Sequence, residues 1–224
     1  MQSETITTND LNIDSTSPLP GTVKFYDQHL VVCSGHTDWP SRAESKGFLA
    51  ELKLATNEVV LQGRLRMTAC EAASKGKGTD ILLFPQNVRI CGLGFNDISE
   101  LLRVLLGEKT ASLRTEVLER PVWLVCGHRN RDPRCGRCGP GIQAAIQVHL
   151  AKLGLENAVD VWRSSHLGGH LLAGVMVCYP DGNLYGRVTE QDVPALIQAE
   201  LVEQNPLTHL WRGRIGLTAD EQIA

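Results

Sequence analysis

Four residues in the second half of the chain have the types and the spacing to bind a metal centre. Cys126 and Cys135 lie in CGHRNRDPRC, and His166 and His170 lie in HLGGH. Thiolate sulfur and imidazole nitrogen ligate Zn²⁺ and iron–sulfur clusters, and glycines beside such ligands let the backbone approach a metal closely. The sequence therefore predicts a metal or iron–sulfur centre that these four side chains could close.

The surroundings of Cys135 favour a metal-binding or reactive thiolate. Four arginines flank it in the same loop, namely Arg129, Arg131, Arg134 and Arg137. A helix is predicted to begin just after it, near Gly139-Pro140, and both positive charge and a helix N-terminus favour the thiolate form. Between the two histidines, Gly168-Gly169 disfavours a helix by about 1 kcal/mol per glycine, so a tight loop is predicted there.

Cys138 opens two alternatives to a cluster. Cys135-x-x-Cys138 followed by Gly-Pro resembles a dithiol redox motif, which predicts a thioredoxin-like disulfide oxidoreductase. The same two cysteines and two histidines could instead form a structural zinc site. Residue types and spacing leave all three functions open, and in the cluster hypothesis Cys138 is a neighbour of the site and not a ligand.

The elements that must position these residues form an α/β fold. In the second half, apolar runs predict strands over 122–126, 159–163, 171–179 and 184–188, with PDGN as the last hairpin turn. Helices are expected from Gly139-Pro140 to about 153 and over 191–202. The order βα, β, ββα is that of a thioredoxin-like domain.

The first half has a similar pattern. Strands are predicted over 29–35, 65–70 and 81–84, helices over 48–54 and 97–106, and a charged bridge over 108–120. LVVCSGHTDWPSR repeats the order of Cys, Gly, His, Asp, Pro and Arg found in WLVCGHRNRDPRC. We therefore predict a disordered tail over 1–20, an N-terminal α/β subdomain over 21–118 and a related thioredoxin-like C-terminal domain over 119–224.

Composition narrows the functional class. The 224 residues are 42% hydrophobic, enough for a proper core, and the odd number of seven cysteines does not suit a secreted disulfide framework. A net charge of −3 gives no sign of nucleic-acid binding, and no apolar run is long enough to span a membrane. The opening MQSETITTNDLNIDSTSPLP is unlike a targeting peptide, so we expect a cytoplasmic protein, with an organellar matrix also compatible.

Several motifs together resemble one family. RDxRCGxCGP, SHLGGHxxAG, YGRV followed by DVPxLI, and LWRGRIGL are similar to the sucrase/ferredoxin-like family, which includes the fungal actin patches distal protein and thioredoxin-like ferredoxins. The resemblance covers about residues 30–217. It implies a [2Fe-2S] cluster on Cys126, Cys135, His166 and His170.

The implied activity is electron transfer. An electron carrier is favoured over a catalyst, its redox partner protein is not identified, and homodimer formation is left open. A sucrase activity finds no support, since a glycosidase uses paired carboxylates, whereas Asp132 and Asp181 stand alone in turn-like contexts.

Overall fold

Strands from both halves of the chain form one mixed β-sheet. In the computed structural model, which describes residues 11–61, 63–108 and 112–224, this sheet has ten strands. The first five are β1 Gln28–Cys33, β2 Leu65–Cys70, β3 Thr79–Phe84, β4 Val88–Leu93 and β5 Thr115–Val117. The second five are β6 Val122–Cys126, β7 Asp160–Ser164, β8 Met176–Tyr179, β9 Asn183–Tyr185 and β10 Trp211–Arg214.

Helices connect the strands of each half. They are α1 Gly47–Asn57, α2 Ile98–Leu105, α3 Pro133–Lys152, α4 Val193–Ile197 and α5 Ala219–Ile223. A π-helix over Gln198–Glu203 continues α4, and short 3-10 helices cover Ala43–Ser45, Phe95–Asp97 and His170–Leu172. No helix in the described part of the chain has both the length and the hydropathy to cross a bilayer.

The two halves repeat one topology. The strand order is β10-β9-β8-β6-β7-β2-β1-β3-β4-β5, with β1 parallel to β2, β6 parallel to β7, and the other neighbours antiparallel. The halves join where β2 pairs with β7, at Cys70 and Ser164. The order β6, α3, β7, β8, β9, α4 is the predicted thioredoxin-like one, so the predicted fold class is confirmed.

Both halves contribute to a shared core. Leu30 and Leu52 belong to a cluster under α1 and α2, and Val125 and Ile146 to a cluster under α3 and α4. A third cluster takes side chains from both halves, and within it Phe84 stacks on Tyr179 with ring centroids 3.6 Å apart. Apolar burial of this kind fixes one half against the other.

The start of α3 differs from the prediction. The helix begins at Pro133 and not near Gly139-Pro140, because Asp132 caps it by accepting a hydrogen bond from the backbone N–H of Arg134 at 2.9 Å. Proline is tolerated at the first helical position, so Pro133 starts the helix and Pro140 lies inside it. Cys135 therefore lies in the first turn of α3 and not in a loop before it.

Other elements also differ from the prediction. β4, β5 and β10 were not predicted as strands, and the strand expected over 171–179 begins only at Met176. Residues 1–10 of the predicted tail lie outside the described residues, as does 109–111 of the predicted bridge. Residues 11–20 pack against the fold and differ from the disordered tail expected there: the backbone N–H of Asp14 donates to the Leu171 carbonyl at 2.8 Å, and Leu19 is buried.

Candidate metal centre

Cys126 and Cys135 form a buried pair of thiols. Cys126 ends β6 and Cys135 lies in the first turn of α3, with exposures of 2% and 1%. The neighbouring Cys135 thiol is the main cause that holds the pKa of Cys126 well below its ordinary value, and the Cys126 thiol in turn raises the pKa of Cys135. The nearby His166 ring and the backbone N–H groups of Leu167 and His128 lower the pKa of Cys126 further. The surroundings of Cys126 therefore favour its thiolate, which is the form that binds metal.

Close packing of α3 on β6 makes this contact possible. A Cβ added at Gly139 would lie 2.4 Å from the carbonyl oxygen of Cys126. Only glycine allows the helix backbone to approach the end of the strand this closely. Gly139 thus keeps the first turns of α3 against the strand that carries Cys126.

His166 and His170 form a second pair. Their ring centroids are 5.6 Å apart, and the chain turns between them at Gly168 and Gly169, whose φ angles of +82° and +75° lie in the left-handed region. The predicted tight loop is confirmed. Both histidines are half-buried, and Nδ1 of His166 is buried without a hydrogen-bond partner among the described residues.

An unpartnered buried nitrogen is the kind of atom that a metal would satisfy. Leaving such a group unpaired costs about 1–3 kcal/mol. The contact of the His166 ring with Cys126 joins the histidine pair to the cysteine pair. The structure therefore places the four predicted residues together, as two pairs.

This arrangement differs from a single-ion cage. In the described residues, no three His, Cys, Asp or Glu side chains lie close enough to hold one metal ion.

Cys138 lies beside the site. It is half-buried and packs against the core under α3 and α4, whereas Cys135 belongs to the core shared by the two halves. The thiol with the largest effect on the pKa of Cys135 is that of Cys126. Burial raises the pKa of Cys138, which opposes the reactive thiolate that a dithiol mechanism requires.

His128 is a site residue that the sequence analysis did not single out. Its Nδ1 accepts a hydrogen bond from the backbone N–H of His166 at 3.1 Å, and its Nε2 donates to the Pro40 carbonyl at 2.8 Å. The ring of Trp39 packs edge-on against it. His128 therefore ties the loop of His166 to the first half of the chain. Its place two residues after Cys126 and its part in the repeated Cys, Gly, His order were the signals for it.

Two arginines flank the histidine loop. Nη2 of Arg66 donates to the His166 carbonyl at 3.1 Å, and Nη1 of Arg212 donates to the Gly168 carbonyl at 3.2 Å. Burial, followed by the charge of Arg66, lowers the pKa of Arg212 to about 10. Neither arginine forms an ion pair with a carboxylate in the described part of the chain.

Positive charge without a protein counter-ion favours an anionic group nearby. Arg212 lies in the LWRGRIGL segment. This segment is part of the family resemblance, but the resemblance implied no role for Arg212. Nothing near Arg66 in the sequence pointed to it, because it reaches His166 from β2, 100 positions away.

One family model and several curated relatives match this chain. The model of the family described as Sucrase/ferredoxin-like matches residues 19–213. Altered inheritance of mitochondria protein 32 of Debaryomyces hansenii is 26% identical over 246 aligned residues, which cover 92% of this chain and 89% of that protein. The protein of the same name from Clavispora lusitaniae is 34% identical over 100 residues, covering 43% of this chain and 36% of the relative.

A solved structure shows a partial likeness. The thioredoxin-like [2Fe-2S] ferredoxin from Aquifex aeolicus is 20% identical, with a TM-score of 0.39. The match covers 45% of this chain and 96% of the ferredoxin.

Proposed function

The chain belongs to the sucrase/ferredoxin-like family, and on this premise we propose that it is an electron-transfer protein with one [2Fe-2S] cluster. The ligands are Cys126, Cys135, His166 and His170. The observation that carries the proposal is the pairing of these side chains, two buried thiols beside two histidines of which one has a buried, unpartnered Nδ1.

The donor set favours a relatively high reduction potential. When bound, a [2Fe-2S] cluster accepts and releases one electron. Two thiolates and two neutral imidazoles bring two negative charges to the site, where four cysteines would bring four. Clusters with two histidine ligands accordingly lie at about −150 to +300 mV, against about −400 mV for plant-type ferredoxins.

Neighbouring groups also favour a higher reduction potential. The backbone N–H groups of His128 and Leu167 lower the pKa of Cys126 and so stabilise negative charge on its sulfur. Arg66 and Arg212 place positive charge beside the histidine loop. Both effects favour the reduced, more negative state of the site.

The histidine side is the accessible side. His166 and His170 are half-buried, whereas both cysteines are almost fully buried. Arg129, Arg131 and Arg137 are exposed on the segment that joins Cys126 to the first turns of α3. We therefore expect a redox partner with an acidic surface to approach here, at a rate that falls as ionic strength rises.

Visible absorbance, iron and sulfide of the purified full-length chain test the proposal. We expect two irons and two sulfides per chain, both lost in Cys126→Ser. His170→Ala should lose the cluster or change its spectrum. Cys138→Ser is the control variant, because Cys138 lies in the same helix as Cys135 but is not a proposed ligand, and its cluster should stay intact.

Other outcomes would contradict the proposal. An intact cluster in His170→Ala together with a lost one in Cys138→Ser would refute the ligand set and support the dithiol alternative. A colourless, zinc-loaded protein would support a structural zinc site instead.

The proposed function also suits a reducing compartment of the cell. The relatives bear a name that refers to the inheritance of mitochondria. We propose a cytoplasmic or organellar-matrix location, in keeping with the reducing compartment that the free cysteines favour. Fractionation of cells producing the full chain tests this, and recovery from a secreted fraction would contradict it.

A further inference from the structure

A second pair of thiols lies in the first half of the chain and includes none of the four proposed ligands. Cys33 ends β1, Cys70 ends β2, and the two are direct partners in the parallel register. Both are free and buried in the core shared by the two halves.

The repeated topology shows that this pair is a separate feature. Cys33 ends the first strand of its half, as Cys126 does in the second half. The register partner of Cys126 is Ser164, which cannot form a disulfide, whereas the register partner of Cys33 is Cys70. The first half therefore has its own sulfur pair, built from two neighbouring strands.

Neighbouring strands place Cα atoms within the range that a disulfide spans. Paired strands lie about 4.7–4.9 Å apart, and a disulfide joins Cα atoms about 4.4–6.8 Å apart. We propose that Cys33 and Cys70 form a second redox site, a dithiol that a small peptide disulfide of the glutathione type converts into an intramolecular disulfide. The site is distinct from the proposed cluster and transfers two electrons.

The two cysteines differ in access and in acidity. Cys33 lines a cavity of about 650 Å³ together with His36, Trp39 and Lys46, whereas Cys70 is fully buried. The neighbouring Cys70 thiol and the charge of Arg89 lower the pKa of Cys33, whereas the Cys33 thiol and burial raise the pKa of Cys70. Cys33 is thus the attacking thiolate and Cys70 the resolving thiol.

The exchange balances in two steps. The Cys33 thiolate attacks one sulfur of the small disulfide, breaks its S–S bond and releases the first small thiol. Cys70 then loses its proton and attacks the Cys33 sulfur of the mixed disulfide, which releases the second small thiol. Two protein thiols are oxidised, one small disulfide is reduced to two thiols, and the two protons end on those thiols.

Mass spectrometry on the full chain tests the proposal. The protein is equilibrated anaerobically with oxidised and reduced glutathione at varied ratios, quenched in acid, alkylated and digested. We expect a linked pair of peptides containing Cys33 and Cys70, two hydrogens lighter than the separate peptides. The ratio of disulfide to dithiol should rise tenfold for each tenfold rise in the ratio of oxidised glutathione to the square of reduced glutathione.

Controls within the chain separate this site from general unfolding. Cys178 in β8 is equally buried but has no cysteine as its register partner, and it should remain reduced throughout. Cys70→Ser should trap a glutathione adduct on Cys33, because the resolving thiol is gone, whereas Cys33→Ser should leave Cys70 unmodified.

Three results would overturn the proposal. They are the absence of a Cys33–Cys70 link at every ratio, a link from either cysteine to a different one, and modification of Cys178 in parallel with Cys33. Visible absorbance recorded on the same samples reports the cluster separately, so a colourless protein that still forms the link contradicts only the proposed cluster.

Discussion

Replacing Asp132 should loosen the position of Cys135, one of the four proposed ligands. Asp132 caps α3 by accepting from the backbone N–H of Arg134 at 2.9 Å, and its carboxylate also pairs with the Arg134 guanidinium at 2.9 Å. Cys135 follows in the same turn. Asp132→Ala removes both interactions, whereas Asp132→Asn keeps a side-chain oxygen for the cap and removes only the charge.

The expected magnitudes follow from these contacts. Loss of an N-cap costs about 1 kcal/mol. The ion pair contributes about 1 kcal/mol, since its side chains are 18% and 9% exposed and therefore only partly screened by water. Asp132→Ala loses both contributions, about 2 kcal/mol, so the first turn of α3 should open about 30-fold more often than in wild type. Asp132→Asn loses only the ion pair, about 1 kcal/mol, so the turn should open about 5-fold more often.

Cluster loss to an excess of iron chelator measures this opening. First-order bleaching of the visible absorbance should accelerate in the order wild type, Asp132→Asn, Asp132→Ala. Arg134→Met is the matched control, because it removes the ion pair, keeps the cap and should resemble Asp132→Asn. Equal rates for Asp132→Asn and Asp132→Ala would refute the role of the cap, and rates equal to wild type in all variants would refute the whole reasoning.

Two further predictions concern buried charges. Arg212→Met removes a positive charge next to the histidine loop, so the reduction potential of the proposed cluster should fall by tens of millivolts. Arg212→Lys keeps the charge and should have a potential close to that of wild type. Redox titration of the visible spectrum measures both, and an unchanged potential in Arg212→Met would contradict this prediction. Burial raises the pKa of Glu200 from 4.5 to about 6, so its neutral form stabilises the fold below pH 4.5 and this contribution is lost as the pH rises through about 6. Glu200→Gln should therefore match wild type in urea unfolding at low pH and exceed it by about 2 kcal/mol at pH 8, and a difference independent of pH would exclude titration of Glu200 as the cause.

The sequence predicted the elements that carry strong local signals. β2 and β6 were predicted to the residue, and β6 is an uninterrupted apolar run between Pro121 and Gly127. β10, with the sequence WRGR, was missed because pairing with β9 makes it a strand and its own residues do not. The start of α3 was misplaced because Gly139-Pro140 resembled a helix start more strongly than the Asp132 cap did.

The same contrast applies to the site. The four proposed ligands stood out by type and spacing in two short segments. Their supporting residues did not, because each acts through a backbone contact made across the fold. Arg66 hydrogen bonds to a carbonyl 100 positions away, and His128 to one 88 positions away. No periodicity or motif in a single sequence predicts such contacts.

These long-range contacts join the two halves of the chain at the proposed centre. We propose that the predicted segments 21–118 and 119–224 are related subdomains, since each has the same strand order and a cysteine at the end of its first strand. The second half supplies all four proposed ligands, yet Arg66 and the Pro40 carbonyl of the first half hold the loop and the histidine beside them. The proposed centre therefore depends on both halves, because the first half fixes the position of groups that the second half alone would leave without partners.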